Sequence, residues 1–182
     1  MQRRLLLRAA TVPASLALVA AAVLPSQAAE LAFTDSDASG IKADIVRARV
    51  VHGTHNVRVR VRFDDLPRSG VTYTQGLSLF IDADRANRGP EYHFTTGLNS
   101  GTDWAFTRVG TWNDDGPRVK SCEHSVKLDW KADVAVLRFA RSCIGSPRSI
   151  RVALRAVETE GGTTRSDWAP KYRTFTSPIA SD

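Results

Sequence analysis

The sequence predicts an all-β protein, an antiparallel β-sandwich of about eight strands with one disulfide, of the jelly-roll or immunoglobulin-like kind. Three observations predict this fold class. Many short segments alternate hydrophobic and polar residues with a period of two, which is typical of strands that are buried on one face. Clusters of Gly, Pro, Asn and Asp separate these segments at short intervals. No segment has the 3.6-residue hydrophobic period that indicates a long helix.

The clearest element is a hairpin over residues 44–63. Hydrophobic residues that should face inward alternate with arginines that should face solvent, and Val46 is expected to be one of the inward residues. The outward residues are Arg47, Arg49, Arg58, Arg60 and Arg62. His52 and His55 flank the turn, and we interpret both as polar turn residues.

Further segments with strand character follow the hairpin at short spacing. They are residues 77–81, 92–96, 104–106, 119–128, 135–139 and 150–154. Together with the hairpin they predict one domain over residues 29–182, with no second domain and no linker.

The first 28 residues predict a signal peptide and therefore a secreted protein. Three arginines precede a long uncharged stretch rich in Ala, Leu and Val, and small residues stand before Ala29 at the positions that a signal peptidase recognises. The pair Arg3-Arg4 leaves the twin-arginine route open beside general secretion. An uncleaved membrane anchor is the alternative, but Pro13 and the cleavage-like site argue against a stable anchor. Residues 29–182 carry a net charge of +3, which does not by itself favour nucleic acid as a partner.

The two cysteines, Cys122 and Cys143, are expected to form a disulfide. An isolated pair in an exported protein is oxidised in most cases, and two cysteines alone cannot complete a zinc site. A closed loop of about twenty residues should stabilise the fold by roughly 3 kcal/mol.

The loop at residues 82–91 is the one segment that suggests a cofactor. Asp82, Asp84 and Glu91 offer carboxylate oxygens around a turn, as calcium requires, although the spacing is not that of an EF-hand. Arg85 and Arg88 lie in the same loop and would repel a cation. The alternative is a turn in which Asp and Asn accept backbone hydrogen bonds and pair with arginine.

Two further features suggest ligand binding. The five outward arginines of the hairpin could bind an anionic polymer such as teichoic acid, an acidic polysaccharide or nucleic acid, or they could form a solvated surface paired with aspartates. Trp104 and Trp112 could stack on a sugar ring, although packing at the edge of the sandwich explains Trp112 equally well.

Several short motifs resemble those of known proteins. Asp-Ile at 44–45, Leu-Phe-Ile-Asp-Ala-Asp at 79–84 and Gly-Pro-Glu-Tyr at 89–92 resemble the β-sandwich of DOMON-type and family-nine carbohydrate-binding modules. Nearly all of residues 29–182 is similar to a group of uncharacterised secreted proteins of high-GC Gram-positive bacteria. The motifs are Gly-Pro-Glu-Tyr at 89–92, Ser-Gly-Thr-Asp-Trp at 100–104, Arg-Ser-Cys-Ile-Gly at 141–145 and Asp-Trp-Ala-Pro at 167–170. The DOMON resemblance implies that a Met and a His bind a haem iron. This chain cannot supply that pair of ligands, because Met1, in the predicted signal peptide, is its only methionine.

These observations favour a secreted, non-catalytic binding module whose ligand is a glycan or an anionic envelope polymer. The chain has no Gly-x-Ser-x-Gly motif, no His-Glu-x-x-His motif and no phosphate-binding loop. A small hydrolase with acids on separate loops, and a module that binds or inhibits a protein partner, are the alternatives. No cofactor is required, and calcium is the one metal that the sequence suggests.

Overall fold

The computed structural model describes residues 29–35, 39–68, 72–101 and 103–182. The predicted signal peptide, residues 1–28, lies outside the described residues. The described part of the chain forms eleven strands and one 3-10 helix, Arg141–Ile144. The strands are β1 Ala29–Thr34, β2 Ile45–His52, β3 Asn56–Phe63, β4 Thr74–Asp82, β5 Tyr92–Gly97, β6 Trp104–Arg108, β7 His124–Asp129, β8 Val134–Ala140, β9 Ser149–Glu160, β10 Thr163–Ala169 and β11 Ile179–Ala180.

The strands form two antiparallel sheets that pack as a sandwich, so the predicted fold class is confirmed. The first sheet has the order β1-β2-β3-β8-β7, and the second has the order β10-β9-β4-β5-β6, with β11 also paired to β9. The strand count exceeds the expected eight by β1, β10 and β11, which the sequence pattern does not predict. The exposed first four residues of β10 break the alternation, and β11 has only two residues.

The core lies between the inner faces of the two sheets. Alternating residues of β3 and β8 meet those of β4 and β9, and Phe94 and Phe106 from β5 and β6 stack with ring centroids 5.2 Å apart. Each fully buried Val, Leu, Ile or Phe side chain contributes about 1.5–3 kcal/mol. The periodic burial fixes the register, because a one-residue slip would turn the arginines of β3 into the core.

The hairpin of β2 and β3 is confirmed, but the sequence prediction for Val46 is wrong. A β-bulge between Ile45 and Arg47 shifts the register, so Ile45 is buried and Val46 is 37% exposed. The interpretation of His52 as a polar turn residue is also wrong. His52 ends β2, is fully buried, and lies 3.0 Å from the carbonyl oxygen of Ile179 through its Nδ1 atom. His55, by contrast, is exposed in the turn.

The predicted disulfide between Cys122 and Cys143 is confirmed, with Cα atoms 5.2 Å apart. Cys122 precedes β7 and Cys143 lies in the 3-10 helix after β8, so the bond closes the open end of the β7–β8 hairpin. No helix in the described parts of the chain is long and apolar enough to cross a membrane.

Candidate functional site: the arginine face

The outer surface of the first sheet carries the five arginines that the hairpin pattern predicted, and we call these five residues the arginine face. All five side chains are exposed, as the alternation in β2 and β3 requires. Because β2 and β3 are antiparallel neighbours, Arg47 lies directly opposite Arg62, and Arg49 lies directly opposite Arg60. The register therefore places like charges side by side across the hairpin, an arrangement that opposes folding.

Acidic side chains compensate this charge only in part. Glu30 of β1 accepts a hydrogen bond from Nη2 of Arg49 at 2.5 Å, and this bond, with the charge of Glu30, raises the pKa of Arg49 above its usual value. Among the described residues, the other four arginines have no acidic partner within ion-pair distance. Among the described residues the arginines are solvated, as the alternative expects, and their one ion pair is with Glu30 and not with an aspartate.

Two shallow grooves run in series along the arginine face. One groove, with a volume of about 290 Å³, is lined by arginines of the Arg47–Arg62 and Arg49–Arg60 pairs. The second groove is lined by Arg49, Arg60, Arg58 and Val51, so the two grooves share the Arg49–Arg60 pair. Both grooves are open to solvent and bordered by guanidinium groups, which suits anionic ligands that several donors can hold at once.

One cation beside this face was not predicted from the sequence. Arg138 of β8 is exposed and lies directly opposite Arg58 of β3, and Glu123 is 4.0 Å from it. The alternation of Arg138 with Leu137 and Phe139 indicated that its side chain faces solvent. Its place beside the hairpin depends on the pairing of β3 with β8, which the sequence pattern does not reveal.

The carboxylates of the 82–91 loop are already bonded within the protein. Asp82 is buried and pairs with Arg151 of β9. Glu91 accepts hydrogen bonds from the backbone N–H groups of Ala83 at 2.7 Å and Asp84 at 3.2 Å. Asp84 in turn accepts bonds from the backbone N–H of residue 86 and the side chain of residue 87. These contacts favour the capped turn over the calcium site.

One property of this loop would still suit a cation. Burial raises the pKa of Glu91 above its usual value, the backbone hydrogen bonds lower it, and the charges of Asp82 and Asp84 raise it again. The charges of Asp82 and Asp84 therefore oppose the ionisation of Glu91. Among the described residues no group of three or more His, Cys, Asp or Glu is arranged to hold a metal ion. Calcium binding at Asp82, Asp84 and Glu91 stays a prediction.

The structure does not bring Trp104 and Trp112 together, because Trp104 begins β6 whereas Trp112 lies beyond the other end of β6. Trp104 is 45% exposed and borders a shallow groove with Arg118 and Thr95. Among the described residues no aromatic ring contacts Trp104, so a clamp of two rings around a sugar is not formed there.

Trp112 belongs instead to an aromatic cluster on the outer face of the second sheet. Phe80 is at the centre of this cluster, with His93 stacked 4.5 Å from it and Trp168 stacked 5.5 Å from it. Trp112 stacks on Phe175, which comes from the segment between β10 and β11. The rings fasten that segment to the sheet, which explains their burial without a ligand.

No protein-family model matches the chain, and no curated protein matches it. The arginine face carries four exposed arginines that have no ion pair among the described residues.

Proposed function

We propose that the protein is a secreted, non-catalytic binding module whose arginine face binds an anionic polymer, either an acidic glycan or an anionic envelope polymer. One observation carries the proposal: Arg47 and Arg62 lie directly opposite each other, and neither has an ion pair among the described residues. Such a pair opposes folding by about 0.2–1 kcal/mol, and a bound polyanion reverses the sign of that interaction. A row of guanidinium groups also binds phosphate, sulfate or carboxylate groups through paired hydrogen bonds.

Two further features support this proposal. The disulfide belongs to a class of bond that persists in oxidising compartments, where extracellular polymers are found. The arginines lie on regular strands rather than loops, so the sandwich holds their Cα positions fixed before a ligand arrives. Less binding energy is then spent on ordering the site.

The test is a comparison of two variants that lose the same charge. In the face variant, glutamine replaces Arg47, Arg58, Arg60 and Arg62. In the control variant, glutamine replaces four exposed cations away from the face, namely Arg118, Lys120, Arg148 and Lys171. Binding of each protein to polygalacturonate and to poly(glycerol phosphate) is measured by calorimetry at low salt.

A basic residue near an anionic surface contributes about 1 kcal/mol, so loss of four should weaken binding roughly a thousandfold. The control variant should keep most of the affinity, because its four cations do not line the grooves. Equal losses in both variants would mean that net charge, and not the arginine face, governs binding. Failure of the unaltered protein to bind either polymer would disprove the proposal.

A further inference from the structure

The arginines of the arginine face are attached at a regular spacing along the strands. Arg58, Arg60 and Arg62 occupy every second position of β3, and Arg47 and Arg49 do the same in β2. Two residues of an extended strand contain six backbone bonds and rise about 6.6–6.8 Å. The Cα positions of the arginine rows therefore repeat at that interval, and two of the rows are the opposed pairs Arg47–Arg62 and Arg49–Arg60.

The two grooves follow this repeat. Each groove includes the shared pair Arg49–Arg60 and one neighbouring row, so successive anionic groups of one polymer can occupy successive rows. In each row of two arginines, an anion between the strands has a guanidinium on either side. Such a site suits a phosphodiester, because its two free oxygens can each accept hydrogen bonds from a different guanidinium.

We infer that the arginine face selects phosphodiester polymers of polyols, of the glycerol phosphate type, by the spacing of their charges. This inference depends on the proposed function and specifies its ligand. A glycerol phosphate polymer has six backbone bonds between successive phosphorus atoms, as the strand has between successive arginines, so its extended repeat is about 7 Å. Polyphosphate has only two such bonds per charge, so most of its charges fall between the rows.

Single-stranded nucleic acid also has six backbone bonds between phosphorus atoms, but the arginine face offers no row of aromatic rings on which its bases could stack. Proteins that bind single strands stack the bases on aromatic side chains. The outward positions of the five described strands in this sheet hold no aromatic residue. These positions are occupied by Glu30, Ala32, Thr34, Val46, Arg47, Arg49, Val51, Asn56, Arg58, Arg60, Arg62, Ser125, Lys127, Asp129, Val134, Val136, Arg138 and Ala140. Trp130 follows β7 and lines a groove with Arg60, but its Nε1 donates to the carbonyl oxygen of Leu98 and the guanidinium of Arg68 lies 5.1 Å over its ring. A polyol phosphate needs only the guanidinium groups.

Glu30 acts on this face as an internal competitor for the ligand. It bonds to Arg49, which belongs to the row that both grooves share. A phosphate that enters this row must displace the carboxylate or bind to Arg60 alone. Replacement of Glu30 by glutamine should therefore strengthen binding, which a merely solvated surface would not show beyond the effect of net charge.

The experiment measures dissociation constants by calorimetry at low salt for four polymers with equal numbers of charges: poly(glycerol phosphate), polyphosphate, polygalacturonate and oligo(dT). The proteins are residues 29–182 with the unaltered sequence, the variant Glu30→Gln, and the double variant with Arg49→Gln and Arg60→Gln. Glu160→Gln is the matched control, since it removes one exposed acid that lies near Arg165 and away from the face.

We expect poly(glycerol phosphate) to bind at least tenfold more tightly than polyphosphate. Glu30→Gln should strengthen its binding several-fold more than Glu160→Gln does, and the double variant should lose the preference between the two polymers. Equal binding of all polymers would disprove charge-spacing selection and leave the proposed function standing. Tighter binding of oligo(dT) than of poly(glycerol phosphate) would also overturn the inference. Absence of binding to every polymer would overturn both the inference and the proposed function.

Discussion

Removal of arginines from the arginine face should make the protein more stable. Arg60→Gln combined with Arg62→Gln removes two like-charge pairs, with Arg49 and with Arg47. Each directly opposed pair contributes about 0.2–1 kcal/mol, so the free energy of unfolding should rise by about 0.4–2 kcal/mol. The lower part of this range is expected because Glu30 already offsets the charge of Arg49.

Thermal and urea unfolding at low salt measure this gain, which corresponds to a rise in Tm of a few degrees for a domain of this size. At 1 M salt the Debye length falls to about 3 Å, and the gain should disappear. Arg165→Gln is the control, because Arg165 lies 3.6 Å from both Glu158 and Glu160 and its removal should bring no gain. A double variant no more stable than the unaltered protein at low salt, or one whose gain persists at 1 M salt, would refute the reasoning from charge repulsion.

Three further predictions follow from other parts of the fold. Burial in the aromatic cluster lowers the pKa of His93 to about 4, so the folded protein favours the neutral imidazole. The free energy of unfolding is therefore highest above pH 6.5 and decreases as the pH falls towards 4, because the unfolded chain takes up the proton first. In urea unfolding between pH 7 and pH 4, this residue should lower the free energy of unfolding by up to about 3 kcal/mol. The variant His93→Gln should lack this part of the decrease. Replacement of Cys122 and Cys143 by serine should lower the free energy of unfolding, measured by urea denaturation, by about 3 kcal/mol. An unchanged free energy of unfolding would mean that the disulfide contributes little to stability. The capped turn at 82–91 predicts the same Tm with calcium and with chelator, whereas a rise of several degrees with calcium would restore the metal site.

The elements that the sequence predicted best are those whose signal is local. The β2–β3 hairpin has strict alternation on both sides of a short turn, and the arginines lie on its outer face as expected. The bulge at Val46 was not predictable, because it depends on how β2 pairs with β3 and not on the composition of β2 alone. For the same reason the burial of His52 was missed, since its partner Ile179 is 127 residues away in the chain.

The candidate site shows the same division between local and long-range information. The outward orientation of the arginines follows from periodicity, but the contact between Glu30 and Arg49 and the place of Arg138 follow from sheet order. The pattern of Asp and Glu at 82–91 indicated a cation site, whereas Arg151, from a distant strand, pairs with Asp82. A sequence pattern lists the charged groups of a site, and the tertiary fold decides which of these groups neutralise one another.

The most direct test of the arginine face is to locate where an anionic polymer contacts the protein. Two-dimensional ¹⁵N NMR spectra, including the Nε resonances of arginine, would be recorded while poly(glycerol phosphate) is added at low salt. We predict that the changes concentrate on Arg47, Arg49, Arg58, Arg60 and Arg62 and on the adjacent backbone of β2, β3 and β8. Changes centred on the groove beside Trp104 or on the aromatic cluster around Phe80, or no changes at all, would contradict the account.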